Sequence, residues 1–221
     1  MYRKTYRIRA SAEFGLWTPP CAGPDRISLP VASHEGFRGV LRSIMGKREI
    51  DWVIHRAVLT TMPRWITLVR NEISNFGNGY QPICVDSPGR HTQRLSRILA
   101  NPSYVLDASL VLGKEYQRVS PSEDVKAMGK FAHMTEKRFE QGGGYRHVSF
   151  GNKEFPAHCE LTDEEPLPVD YSQDLGLTYY GTDYDEQRAY FYPMRIDRGV
   201  VLYPSWDEVR QLGITRDDRR S

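Results

Sequence analysis

From Tyr2 to Glu13 apolar and polar positions alternate, with Tyr6, Ile8 and Ala10 set against Arg7, Arg9 and Ser11. That two-residue period predicts a half-buried strand. Phe14-Gly15-Leu16-Trp17-Thr18-Pro19-Pro20 breaks the pattern, and a loop rich in proline and glycine runs on to Pro30. Ser33 then caps a predicted helix with Phe37, Val40, Leu41, Ile44 and Met45 on one side and Arg38 and Arg42 on the other, ending at Gly46-Lys47. Trp52 to Met62 is rich in β-branched and apolar residues and reads as a strand; Pro63 interrupts it, and Trp65 to Ile73 reads as its partner. Ser74 to Pro88 carries the glycine, asparagine and proline of a loop, and Arg90, Arg94 and Arg97 fall in a short polar stretch of helical character. Tyr104 to Leu112 alternates again as a strand.

The stretch from Ser120 to Leu161 has the densest pattern. Ser120-Pro121-Ser122-Glu123 is a helix start, with an N-cap serine, proline at the first helical position and a glutamate placed to close a capping box. Val125, Met128, Ala132, Thr135 and Phe139 recur at spacings of three and four, the period of a buried stripe, and Lys126, Lys130, His133 and Lys137 recur on another face as a basic ridge. The helix stops at Gly142-Gly143-Gly144, where missing side chains let the backbone turn sharply and approach another molecule. A strand-like segment ending Phe155-Pro156-Ala157-His158-Cys159-Glu160-Leu161 follows. A basic helix face, a glycine-rich turn and a strand together suit the holding of a phosphate backbone.

The order strand, helix, strand, strand-like piece, strand, helix, strand approximates a β-α-β-β-α-β plan. The expected class is α+β, ferredoxin-like, as in RNA-recognition modules. After Thr162 the composition shifts to crowded tyrosines, with hairpin turns expected at Gly181 and Gly199 and a short helix from Ser205 to Leu212. Residues 1–162 are therefore read as an RNA-binding domain. Residues 163–221 are read as a small antiparallel β appendage with a loose tail from Arg216 to Ser221.

Composition sharpens this reading in two places. The net charge is only +2, yet Asp163 to Glu186 holds eight acidic residues and no lysine or arginine, so the other parts of the chain carry +10. A basic body with one acidic segment suits a nucleic-acid binder with a charged, partner-facing flank, and equally one with a merely solvated loop. Cys21, Cys84 and Cys159 are odd in number and form no CxxC pair, so neither a disulfide framework nor a zinc knuckle is readable. No apolar run reaches membrane-spanning length and no signal-peptide pattern opens the chain, so a cytoplasmic protein without membrane contact is expected.

The six histidines occupy isolated positions without HxH or HExxH spacing, and no metal site is expected. The glycines end a helix instead of opening one, which disfavours a P-loop or dinucleotide site, and no cofactor is expected. What stays open is metal-free acid–base chemistry on RNA: a base for the 2′-hydroxyl, a cation for the charged phosphorane and an acid for the leaving 5′-oxygen. Lys130 and His133, three apart on one helix face, are close enough to share a phosphate. From the spacing alone, a solvated face with an incidental histidine is the simpler reading. Arg38, Arg42 and Lys47 fit a phosphate-tracking edge and a solvated edge equally.

Several segments together resemble one family, the CRISPR-associated Cas-five subunit of subtype I-C (Dvulg) systems. The likeness runs through Phe14-Gly15-Leu16-Trp17-Thr18-Pro19, the Val31–Ile44 region with Arg38-Gly39, Val69-Arg70-Asn71-Glu72-Ile73 and Arg90-His91-Thr92-Gln93-Arg94. It continues through Gly129-Lys130, the glycine turn, Gly151-Asn152-Lys153-Glu154-Phe155-Pro156-Ala157, and Asp174-Leu175-Gly176 with Asp183-Tyr184. The resemblance implies a ferredoxin-like domain with a β appendage. It implies a metal-independent endoribonuclease that cuts the repeat hairpin of precursor CRISPR RNA, by 2′-hydroxyl attack giving a 2′,3′-cyclic phosphate. The protein would then stay on the 5′ handle beside the backbone and large subunits of the interference (Cascade) complex, where target DNA is met. On this reading Lys130 stabilises the phosphorane and His133 shuttles the proton. Gly142, Gly143 and Gly144 cradle the backbone, and Arg38, Lys47, Arg70, Arg94, Lys126, Lys137 and Arg146 contact phosphates.

Two departures matter. Processing members carry an aromatic residue just after the first helix and an adjacent Lys-His pair in the second; here those positions hold Met45 and, after Lys130, Phe131. A two-residue displacement swings a helical side chain by roughly 200°, so His133 is not a simple substitute, although it shares the ridge with Lys130. Either the site is rebuilt from Lys130 and His133, or the chain is a non-catalytic structural subunit that caps the 5′ handle and anchors assembly.

Overall fold

The computed structural model describes residues 3–19, 26–73, 91–116, 120–142 and 144–217, with the backbone alone described at 70–73, 91–92 and 217. The fold is mixed α+β. In chain order the strands of its first half are β1 (Arg3–Ala12), β2 (Phe14–Gly15), β3 (Arg26–Ile27), β4 (Ile50–Leu59), β5 (Trp65–Ile73), β6 (His91–Ala100) and β7 (Ser103–Leu112). After these come β8 (Ala157–Leu161), β9 (Gln173–Asp183), β10 (Arg188–Ile196), β11 (Val200–Leu202) and β12 (Thr215–Asp217). The helices are α1 (His34–Ile44), α2 (Pro121–Glu140) and α3 (Trp206–Leu212).

The central sheet has the order β11-β4-β7-β1-β8 and every pairing in it is antiparallel. One face of it carries Ile8, Trp52, Ile54, Leu106 and Leu110, all buried, and α1 and α2 cover that face with Phe37, Leu41, Met128 and Phe131. The tyrosines of the C-terminal region join the same core. Tyr180, Tyr192 and Tyr203 pack around His34 and Phe37, with the Tyr180 ring stacked on His34 at 4.3 Å.

Several expectations are corrected. Trp65–Ile73 does not pair with the strand before it: β5 pairs with β6, and β4 pairs with β7. The arginine-rich stretch expected to have helical character is strand β6, flanked by β5 on one side and β2 and β3 on the other. The physical reason is a satellite core: Ile66, Leu68 and Ile98 share one face of the hairpin and close on Leu16 and Phe155. On α2, Phe131 takes the buried place expected for Val125, which is 49% exposed. The hairpin after β9 turns at residues 184–187; Gly181 lies within β9, where a Cβ would come 3.1 Å from the Trp206 ring. Arg216 and Asp217, the start of the supposed tail, belong to β12 and pair with β10.

Local caps explain the helix ends. Ser33, Ser120 and Ser205 each accept a hydrogen bond from a first-turn amide, and α3 closes a full capping box with Glu208. The loop before β8 is held just as firmly. The Leu16 amide donates to the Phe150 carbonyl at 3.1 Å, and Gly151 follows with φ +83°, where a Cβ would collide with the Leu16 carbonyl oxygen. Gly151→Ala is therefore expected to destabilise the fold by roughly 3 kcal/mol, from left-handed strain plus overpacking. A urea midpoint indistinguishable from wild type would show that this loop does not depend on the close approach.

Candidate nucleic-acid interface

Helix α2 is amphipathic in a second sense besides burial. Asp124, Met128, Phe131, Ala132, Thr135 and Phe139 face the core, and Lys126, Lys130, His133 and Lys137 are all exposed on the opposite side. None of these three lysines forms an ion pair among the described residues. Glu123 and Asp124 in the first turn and Lys137 and Arg138 in the last oppose the helix macrodipole. The basic ridge thus stands where the spacing placed it, with its charges uncommitted.

The turn after α2 is stitched to the end of α1. Gly142 has φ +60° and its amide donates to the Phe139 carbonyl. Gly144 lies so close that a Cβ would come within 3.0 Å of the Ser43 carbonyl oxygen and 2.5 Å of the Arg146 carbonyl oxygen. The Tyr145 amide donates to the Ile44 carbonyl at 3.2 Å, the Arg146 amide to the Ser43 carbonyl at 2.8 Å, and the Arg138 guanidinium to the Ile44 carbonyl at 2.6 Å. The last carbonyls of a helix have no partner within it, and here the glycine turn and Arg138 supply them. The C-terminal ends of both helices are thereby fixed at one place. Lys47 joins them, its Nζ 5.9 Å from the centre of the Phe131 ring. Arg138 lies roughly 80° around the helix axis from Lys130, so the ridge borders this seam. Gly143 lies outside the described residues.

Beside the seam is a cleft of about 910 Å³. Its floor is the small-residue face of α1 (Gly36, Gly39 and Ser43), and its walls are Trp17-Thr18-Pro19 on one side and Arg146, His147 and Gly151-Asn152-Lys153 on the other. Segments far apart in the chain, several of which carried the resemblance, therefore meet around one opening. The sequence reading singled out Arg146 alone among the charged groups of this wall. His147 and the neighbouring Tyr145 went unnoticed and Lys153 was given no role, because their place depends on the docking of the loop against α1. The two glycines spaced three apart on α1 were the available signal.

Other expected contacts are placed elsewhere. Arg38 is no free phosphate ligand: its guanidinium binds Asp51 at 2.7 and 2.8 Å and Glu35 at 2.7 and 2.9 Å. Burial works against the Arg38 charge, yet the hydrogen bonds and charges of Asp51 and Glu35 hold its proton above the ordinary guanidinium range. Arg70 and Arg94 are register partners across β5 and β6, in a different sheet from the one that α1 and α2 cover. The Arg70 side chain lies outside what the structure describes. Met45 is fully buried, with Trp52 donating to its carbonyl at 3.0 Å, and Phe131 is 7% exposed. Neither position presents a side chain to a bound molecule.

On the face of the central sheet opposite the helices, three arginines are held in ion pairs. Arg7 and Arg56 both grip Asp107 and Glu165, and Arg9 binds Glu160 and Glu164. Part of the acidic segment thus neutralises the chain's own sheet. On the helical side, Lys47, Lys126, Lys130, Lys137, Arg138 and Arg146 form no ion pair among the described residues. Among the described residues, no helix is long and apolar enough to cross a membrane.

No family model matches the chain. It is similar to a curated relative, the CRISPR pre-crRNA endoribonuclease Cas5d of Mannheimia succiniciproducens, with 24% identity over 230 residues that span 93% of this chain and 98% of the relative. A protein of the same description from Thermus thermophilus is 27% identical over 171 residues, 77% of this chain and 69% of the relative. Among solved structures, a CRISPR-associated protein shares the fold with a TM-score of 0.71 at 17% identity, covering 98% of both chains. A functionally uncharacterized protein of Streptococcus mutans superposes with a TM-score of 0.68 at 14% identity, over 98% of this chain and 99% of the other.

Proposed function

We propose that this chain binds the repeat of a CRISPR transcript, cuts it as a pre-crRNA endoribonuclease, and stays on the 5′ handle of the product as a subunit of an interference (Cascade) complex. The observation that carries the reading is the seam itself. An uncommitted basic ridge and a side-chain-free turn are locked to the same helix end, in a chain similar over 93% of its length to an enzyme with that activity. Lys130 neutralises the phosphorane and His133 moves the proton, in a metal-independent cleavage through a 2′,3′-cyclic phosphate. Lys47, Lys126, Lys137, Arg146 and the glycine turn hold the sugar–phosphate backbone.

The ferredoxin-like reading is supported by the sheet order β8-β1-β7-β4, with α1 leading into β4 and α2 into β8. In this reading β5 and β6 are an insertion between the second and third core strands, and 163–221 is an appendage on the 1–162 domain. Its partners are CRISPR RNA, the backbone and large subunits of a subtype I-C complex and, once assembled, target DNA, all in the cytoplasm.

A second reading, that the chain holds the handle without cutting, is favoured by the burial of Met45 and Phe131. Incubating the purified protein with its repeat hairpin in EDTA separates the two. The expected result is a discrete cut within the repeat, leaving a product with a cyclic phosphate end. Tight binding with intact RNA would leave the second reading. Affinity no greater than for a scrambled hairpin would sink both.

A further inference from the structure

Among the described residues two aromatic rings are largely exposed, Tyr145 at 60% and Tyr184 at 82%. Their surroundings differ. Tyr184 sits in the β9–β10 turn between Asp183 and Asp185, whose carboxylates are bound by Arg210 and Lys114, and no cation lies against its ring among the described residues. Tyr145 sits at the glycine turn with the Arg138 and Arg146 guanidinium carbons each 5.8 Å from its ring centre. Its backbone is pinned by the bond to the Ile44 carbonyl, so the ring is presented from a fixed point. Neither arginine forms an ion pair among the described residues. The two guanidinium groups hold the ring by cation–π attraction while most of it stays in water. That surface is complementary to a ligand with a flat π-face and an anionic link on either side.

We propose that Tyr145 is a nucleobase platform: one unpaired base of the bound RNA stacks on its open face, and Arg146, beside it at the mouth of the cleft, takes an adjacent phosphate. This inference rests on the proposed RNA-binding function and adds a single-nucleotide subsite to it. Stacking on an aromatic ring is tolerant of base identity, so the platform fixes the register of the strand and leaves sequence reading to other contacts. Arg138 is a positioning residue here, because its guanidinium is also bonded to the end of α1.

The test uses the full-length chain and repeat RNA carrying 2-aminopurine at successive single positions. Tyr145→Phe keeps the ring, and Tyr145→Leu keeps the apolar bulk without it. Wild type and Tyr145→Phe are expected to quench the probe at one position and to bind within two-fold of each other. Tyr145→Leu is expected to lose that quench and bind roughly ten-fold more weakly. Arg146→Gln is expected to reduce the slope of log affinity against log salt by about 0.7, the release of counterions from one single-stranded phosphate. If wild type binds repeat RNA while Tyr145→Leu matches it in affinity and in quenching at every position, the platform is refuted and the RNA-binding function stands. Wild type failing to bind repeat RNA, or Tyr145→Leu losing affinity for an acidic peptide in place of RNA, overturns the platform together with the function it rests on.

Discussion

If the proposed cleavage is right, Lys130→Ala is expected to slow it by about 10²–10³-fold while leaving RNA affinity within a few-fold. That split is expected if the ammonium meets charge that develops only as the phosphorane forms. The side chain is exposed and has no carboxylate partner among the described residues, and alanine is the stronger helix former. Lost folding therefore cannot account for lost cleavage. His133→Ala removes the proton carrier and is expected to cost about 10²–10⁴-fold. The double variant should fall little below the worse single one, because groups serving one step are not additive. Lys126→Ala, one turn earlier on the same ridge, should weaken binding a few-fold and leave the rate at saturating RNA unchanged. Single-turnover kinetics with excess protein distinguish these cases. Full cleavage by both Lys130→Ala and His133→Ala would remove the ridge from the chemistry.

The second large effect concerns stability in acid. His34 opens α1 with its ring 2% exposed, stacked on Tyr180, and its Nε2 accepts the Ile54 amide at 3.4 Å. Burial, aided by the Arg38 charge and partly offset by Asp51, pushes its pKa down from 6.5 to about 3. The unfolded chain takes up this proton near pH 6.5 and the folded chain does not until about pH 3. Between those values the unfolded state holds one more proton, so stability rises with pH. The contribution of neutral His34 is complete above pH 6.5 and declines by about 1.4 kcal/mol per unit below it. By pH 3.5 that comes to roughly 4 kcal/mol, a large share of the stability of a domain. Urea midpoints from pH 7.5 to 4.5 should fall steadily in wild type and more gently in His34→Gln, which keeps an acceptor for Ile54. Parallel curves would assign the acid sensitivity to other groups.

What the sequence disclosed follows from the range of the forces involved. All three helices were legible because an N-cap serine and a 3.6-residue period are written within a dozen neighbouring positions. The ridge of Lys126, Lys130, His133 and Lys137 was legible for the same reason. Strand partners were not: β4 meets β7 across the inserted β5–β6 hairpin, and nothing local to Trp65–Ile73 distinguishes a partner of β4 from a partner of β6. The capture of Arg38 by Asp51 likewise needs the register of β4 against α1, and in the sequence the arginine looks like any exposed cation. Val125 and Phe131 both fit the apolar period of α2. The structure buries the larger ring, which removes more surface from water. Tyr145 carried no pattern of its own, and its setting exists only because the carbonyl end of α1 needs partners.

The internal neutralisation of Arg7, Arg9 and Arg56 gives the molecule a direction. Arg7, Arg9 and Arg56 already have their counter-charges within the chain, so they pull little on a passing polyanion, whereas the lysines of the α2 ridge keep their charge free among the described residues. The part of the sheet face occupied by those pairs is left for short-range recognition by contact and shape.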